Sequence, residues 1–113
     1  MAISLKKLFE PAELTTSLAT YYTLSEATTT VLENLVVRLV NHTGSAVTVD
    51  ANNVPLSGSA GGTNVILSAA SIPANDFILV SVPVMKYGDF IQVKASAGTS
   101  VTIHHESGMP KTP

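Results

Sequence analysis

The 113-residue chain reads as an all-β protein, an antiparallel sandwich or barrel. Three observations predict this. From Leu18 onward, β-branched and apolar runs alternate with Gly, Pro, Asn, Asp and Ser clusters at fairly regular spacing. No stretch carries the period of a long amphipathic helix. Cysteine is absent, so the fold must be held by packing, without disulfides or thiolate metal sites.

Taken in order, residues 1–17 are expected to form an extended N-terminal arm. Within it, SLKKLF (4–9) is long enough for one helical turn, which Pro11 ends. Residues 18–107 form a single β-sandwich domain and 108–113 a C-terminal tail. Strands are expected over 17–23, 30–41, 46–51, 64–70, 77–84, 90–95 and 100–105. Between them lie HTGS (42–45), LSGSAGGTN (56–64), IPAND (72–76), KYGD (86–89) and SAGT (96–99), all rich in turn formers. The glycine-rich SGSAGG (57–62) lacks the Lys-Ser/Thr ending of a phosphate loop and reads as a flexible connection. Two segments echo each other, RLVNHTGSAVTV (38–49) and QVKASAGTSVTI (92–103), each a strand, a glycine turn and a second strand. Both read as hairpins.

Charged residues make up 12% of the chain, about half the usual share, and the net charge is −2. No basic stripe is available to neutralise phosphates, which argues against nucleic-acid binding. No apolar run reaches the ~18 residues of a membrane-crossing helix. The opening MAISLKKLFEP has too short an apolar run for a signal peptide, so synthesis in the cytoplasm is expected.

Two of the three histidines adjoin a glutamate in SVTIHHESG (100–108). On a strand, Val101 and Ile103 face one way, Thr102 and His104 the other, and His105 returns to the apolar side. The adjacent imidazoles diverge and cannot hold one ion together; a metal site would need His42 or a distant carboxylate. No G-x-S-x-G elbow or triad spacing occurs, and Asp50, Asp76 and Asp89 fall at or near turns where they can bond backbone amides. No catalytic, cofactor or metal residues are therefore assigned, and no enzyme is expected. The Asn-His-Thr sequence at 41–43 matches a glycosylation sequon but reads as a turn.

Some strands are apolar on both faces. Val31, Leu35, Val37 and Leu39 share one face of their strand, and Leu32, Val36 and Val40 share the other with Arg38. Further on, Ile78, Val80, Val82 and Val84 oppose Phe77 and Leu79. A small antiparallel sheet normally leaves one face to water. The second apolar row therefore needs a cover, either a neighbouring subunit or the chain's own arm and its 51–63 connection.

The segments FEPAELTTSLATYYTLSEATTTVLENLVVRLVNHTGSAVTV (9–49) and SIPANDFILVSVPVMKYGDFIQVKASAGTSVTI (71–103) resemble small structural proteins of tailed bacteriophages. The pattern is a P-A-x-L-T-T-S-x-A-T-Y-Y-T segment, a long strand ending in N-x-T-G/S, an I-P-x-N-D strand and a G-D-x-I-Q-x-x-A-S turn. The resemblance implies a sandwich of jelly-roll type, located in the virion and present in several copies. It points first to a capsid decoration or cement protein contacting the major capsid protein or other virion proteins, and as a homo-oligomer. A tail, collar or adaptor element is the alternative within the class. A carbohydrate- or receptor-binding module is the alternative outside it, disfavoured because Trp is absent and Tyr21 and Tyr22 alternate faces. Ile3, Leu5, Leu8 and Phe9 of the arm are the expected docking residues, with Val36 and Val40 as a subunit contact.

Overall fold

The computed structural model describes residues 7–25, 28 and 30–111. Their strands, in chain order, are β1 (Ala12–Glu13), β2 (Ala19–Thr23), β3 (Val31–Leu32), β4 (Leu35–Asn41), β5 (Val47–Val54), β6 (Val65–Ile72), β7 (Asp76–Val82), β8 (Met85–Lys86), β9 (Phe90–Ala95), β10 (Val101–Ser107) and β11 (Pro110–Lys111). All pairings are antiparallel. One sheet has the order β1-β10-β4-β7, the facing one β2-β9-β5-β6, and a small third sheet β11-β3-β8. In both large sheets an early strand lies beside a late one, the interleaved double Greek key of a jelly roll. The architecture is thus a sandwich rather than a closed barrel.

Alternation explains the two-sheet core. In β4, Leu35, Val37, Leu39 and Asn41 are buried, while Val36, Arg38 and Val40 are half-buried on the outer face. Leu39 and Ile103 of one sheet share a single core with Val49, Ile91 and Val93 of the other. Leu14, Leu24, Leu32 and Met85 are fully buried with them. Truncating a side chain such as Leu39 to alanine removes about 2–5 kcal/mol, the usual cost of a buried leucine.

Several expectations are corrected. The strand expected over 30–41 is split, because Asn34 takes a left-handed conformation (φ 60°) between β3 and β4. The kink breaks the period of two, so Leu32 joins Leu35 in the core instead of Val36 and Val40 outside. Val84 leaves the inward row of β7 after Pro83 and is 57% exposed. The sheet begins at Ala12, inside the segment expected as arm, where Ala12 pairs with Ile103. The tail contributes β11, paired with β3. Residues 7–9 are not helical, and 4–6 lie outside the described residues.

The echoed segments are sheet-crossing corners rather than hairpins: β4 and β5 lie in opposite sheets, as do β9 and β10. The two corners stand side by side because β4 pairs with β10 and β5 with β9. The His42 amide donates to the Ser100 carbonyl (3.1 Å), the Thr48 amide to Ser96 Oγ (3.1 Å), and the Ser96 amide to the Thr48 carbonyl (2.9 Å). Their likeness in sequence reflects equivalent places in the two Greek keys.

Candidate interaction surface

The outer face of the β1-β10-β4-β7 sheet carries the half-buried Val36 and Val40 and, from β7, Phe77 and Leu79, which are 44% and 53% exposed. Cross-strand register aligns them: Thr102, Val40 and Phe77 form one row, and His104, Arg38 and Leu79 the next. Arg38 organises this face. Its Nε donates to Glu106 Oε1 (2.9 Å) and its Nη2 to Glu106 Oε2 (3.2 Å), a two-pronged pair on neighbouring strands. Its guanidinium carbon stands 4.1 Å from the Phe77 ring centroid, within cation–π range. The hydrogen bonds from Arg38, followed by its charge and that of His104, hold the Glu106 carboxyl below the usual glutamate range. Reciprocally, bonding to Glu106 raises the Arg38 guanidinium further above its ordinary value.

Neither cover from within the chain lies on this face among the described residues. Leu8 and Phe9 are half-buried against the chain's own core. The Leu8 amide donates to His105 Nδ1 (3.1 Å), and the Phe9 ring centroid lies 5.9 Å from that of Tyr22 and 5.8 Å from that of His105. Because Nδ1 accepts, the His105 proton sits on Nε2, which donates to the Gly108 carbonyl (2.9 Å). The other expected cover is shortened, since residues 51–54 belong to β5. The remaining loop is hydrogen-bonded to β5 and to itself, away from this face. Asn52 Nδ2 donates to Asn64 Oδ1 (2.7 Å), Asn64 Nδ2 to the Ser59 carbonyl (3.0 Å), and the Gly61 amide to Asn64 Oδ1 (3.1 Å).

The expected contact residues therefore fall in two places. Leu8 and Phe9 pack beside the inward-facing His105, while Val36 and Val40 lie on the opposite side of that sheet. Ile3 and Leu5 lie outside the described residues. Phe77 and Leu79 were legible as an apolar row, but not their place beside Val36 and Val40. The Arg38–Glu106 pair joins residues 68 apart in sequence and left no local signal.

The polar candidates are occupied by structure. Asp89 accepts from the Leu56 amide (3.3 Å) and the Lys86 amide (2.9 Å), Asp50 from the Ala69 amide (2.9 Å) and Asp76 from the Phe77 amide (2.8 Å). Asn41 is fully buried: its Nδ2 donates to the carbonyls of Ser45, Ile72 and Pro73 (2.8–3.1 Å), and its Oδ1 accepts from Thr43. The sequon asparagine thus ties the β4–β5 corner to the β6–β7 corner. His104 faces outward beside Arg38 and His105 inward, so the imidazoles diverge. Among the described residues no group of three His, Asp or Glu side chains could hold a metal ion, and no helix is long and apolar enough to cross a membrane. A cleft of about 330 Å³ opens between Asn53, Pro55, Thr63, Val65, Pro83 and Asp89.

Comparison of the chain with family models, with curated proteins and with solved structures returns no match.

Proposed function

We propose that the chain is a non-enzymatic structural protein of a tailed-phage virion, first of all a decoration or cement protein that reinforces the head shell. One observation carries the assembly part of this reading: the apolar row of Val36, Val40, Phe77 and Leu79 has no cover from the described residues of the arm or from the 55–64 loop. An exposed apolar patch in which Arg38, paired with Glu106, stands between Val36 and Val40 combines apolar area with a satisfied polar group, as contact surfaces do. The jelly roll hosts many unrelated functions, so the fold alone does not choose among them. The phage part rests on the resemblance of residues 9–49 and 71–103.

In this mechanism each copy buries its outer sheet face against capsid subunits, and the symmetric lattice multiplies modest contacts into avidity. Ile3 and Leu5 of the arm are proposed as further contacts. The test is quantitative mass spectrometry of purified virions of the encoding phage. A shell-wide copy number supports the cement role, a ring-sized number moves the chain to the tail, collar or adaptor, and absence from the particle overturns the reading.

A further inference from the structure

Sandwiches expose four sheet edges, and three of these are blunted. β1 is two residues long. β2 has a register shift between Thr20 and Tyr22. β6 pairs irregularly with β5, and Ala69 within it takes a positive φ of 49° while its amide is capped by Asp50. Short strands, bulges and breaks of this kind are how sheets avoid adding strands. The fourth edge, β7, has no bulge or break, and its one side-chain cap is at the end, where Asp76 Oδ1 accepts from the Phe77 amide (2.8 Å). Its seven residues keep unbroken register with β4, from Asp76 opposite Asn41 to Val82 opposite Leu35. Among the described residues no strand pairs with its other side, so alternate amides and carbonyls there point outward. Its only charge is Asp76, at one end.

We infer that β7 is the site where a second copy of this chain adds, antiparallel and about a two-fold axis at Leu79, joining two four-stranded sheets into one of eight strands. The occupant follows from the other edges. A head-to-tail contact needs a second open edge, which the described chain lacks, whereas a two-fold contact uses β7 twice. Register follows from length, since all seven residues pair only when Leu79 lies opposite Leu79 of the second copy. Phe77 then faces Ser81, and Asp76 faces Val82, so no like charges meet; parallel pairing would bring the two Asp76 side chains together. The outer rows of the two copies merge into one stripe of Phe77 and Leu79 flanked by both Arg38 side chains.

The exposed parts of Phe77 and Leu79 amount to roughly 300–400 Å² over the pair, below the ~1,200 Å² of a stable complex. The free dimer is therefore weak, and the contact is completed on a particle that holds copies side by side. The inference deepens the assembly reading and rests on it, but is measured separately.

The experiment is sedimentation of the full chain over a concentration series, with single-cysteine crosslinking in a chain that has no native cysteine. Antiparallel partners lie 4.5–5.5 Å apart at Cα, within disulfide reach. Leu79→Cys should crosslink at least about tenfold faster than Ser68→Cys on the bulged β6 edge, and Leu79→Glu should raise the dimerisation concentration at least about tenfold. Leu79→Glu sits opposite Arg38, which favours retention of the monomer fold, and Leu79→Cys tests the contact independently of it. A wild-type chain that stays monomeric to millimolar concentration, with Leu79→Cys crosslinking no faster than Ser68→Cys, overturns the inference. So does a dimer that crosslinks through Ser68→Cys instead. Dimerisation through β7 in a protein absent from virions supports this contact while overturning the virion role.

Discussion

The guanidinium carbon of Arg38 stands 4.1 Å from the ring centroid of Phe77, one diagonal step away across β4 and β7. With Glu106 holding the guanidinium from the other side, Arg38 is laid over part of the exposed row. Arg38→Ala is expected to uncover Phe77 and increase binding of a hydrophobic dye, with only a small change in melting temperature because both partners of the pair are about one-third exposed. Unchanged dye binding would show that Arg38 gives no cover.

The same pair sets a pH dependence. The Glu106 carboxyl lies below its ordinary range in the folded chain, so the unfolded chain takes up its proton first as pH falls. The contribution is fully present above the ordinary glutamate range and is lost as pH drops through the lowered folded value. Between about pH 6 and about pH 3 the melting temperature should fall more for wild type than for Glu106→Gln. Parallel melting curves would contradict the sign.

Asn41 is the main polar brace between two corners. Asn41→Ala leaves the Ile72 carbonyl and its neighbours without a donor in a buried place. The expected loss is about 2–4 kcal/mol, read as a fall in urea midpoint at unchanged slope. Glycan attachment at this sequon should also fail on the folded chain, because the amide nitrogen is buried.

Two glycines at positive φ should respond unequally to alanine. At Gly108 (φ 106°) a Cβ would lie 2.7 Å from Leu35 Cα and 2.9 Å from the Asn34 carbonyl, both backbone. At Gly88 (φ 89°) it would meet Leu56 Cδ1, Cγ and Cβ (2.5–2.9 Å), which clear it only if the exposed 55–64 loop shifts with Leu56. Gly88→Ala should cost about 1–2 kcal/mol from the backbone alone and Gly108→Ala clearly more, compared by thermal melting. Equal costs would contradict the packing at Gly108.

Much of this fold was legible because period two is a strong signal in strands of five residues or more. Residues 90–95 were bounded as observed, and the divergence of His104 from His105 followed from alternation alone. The two-residue strands β1, β8 and β11 have no period to read. Asn34 was a silent break, since asparagine fits both a strand end and a left-handed kink. Turn chemistry in HTGS and SAGT announces a reversal without saying which sheet receives the next strand, so a sheet-crossing corner and a hairpin look alike in sequence. Of the contact surface, Val36 and Val40 were visible as an outer row. Phe77 and Leu79 join them only through the β4–β7 pairing, a fact of topology.

The most direct measurement of the central claim is amide hydrogen exchange of the chain free in dilute solution and within the assembly proposed for it, purified virions of a phage that encodes it. If β7 and the outer face of its sheet are completed by companions, the exchangeable amides of residues 76–82 gain protection on assembly while those of the bulged 65–72 edge change little. Equal exchange of residues 76–82 in the two states would contradict it.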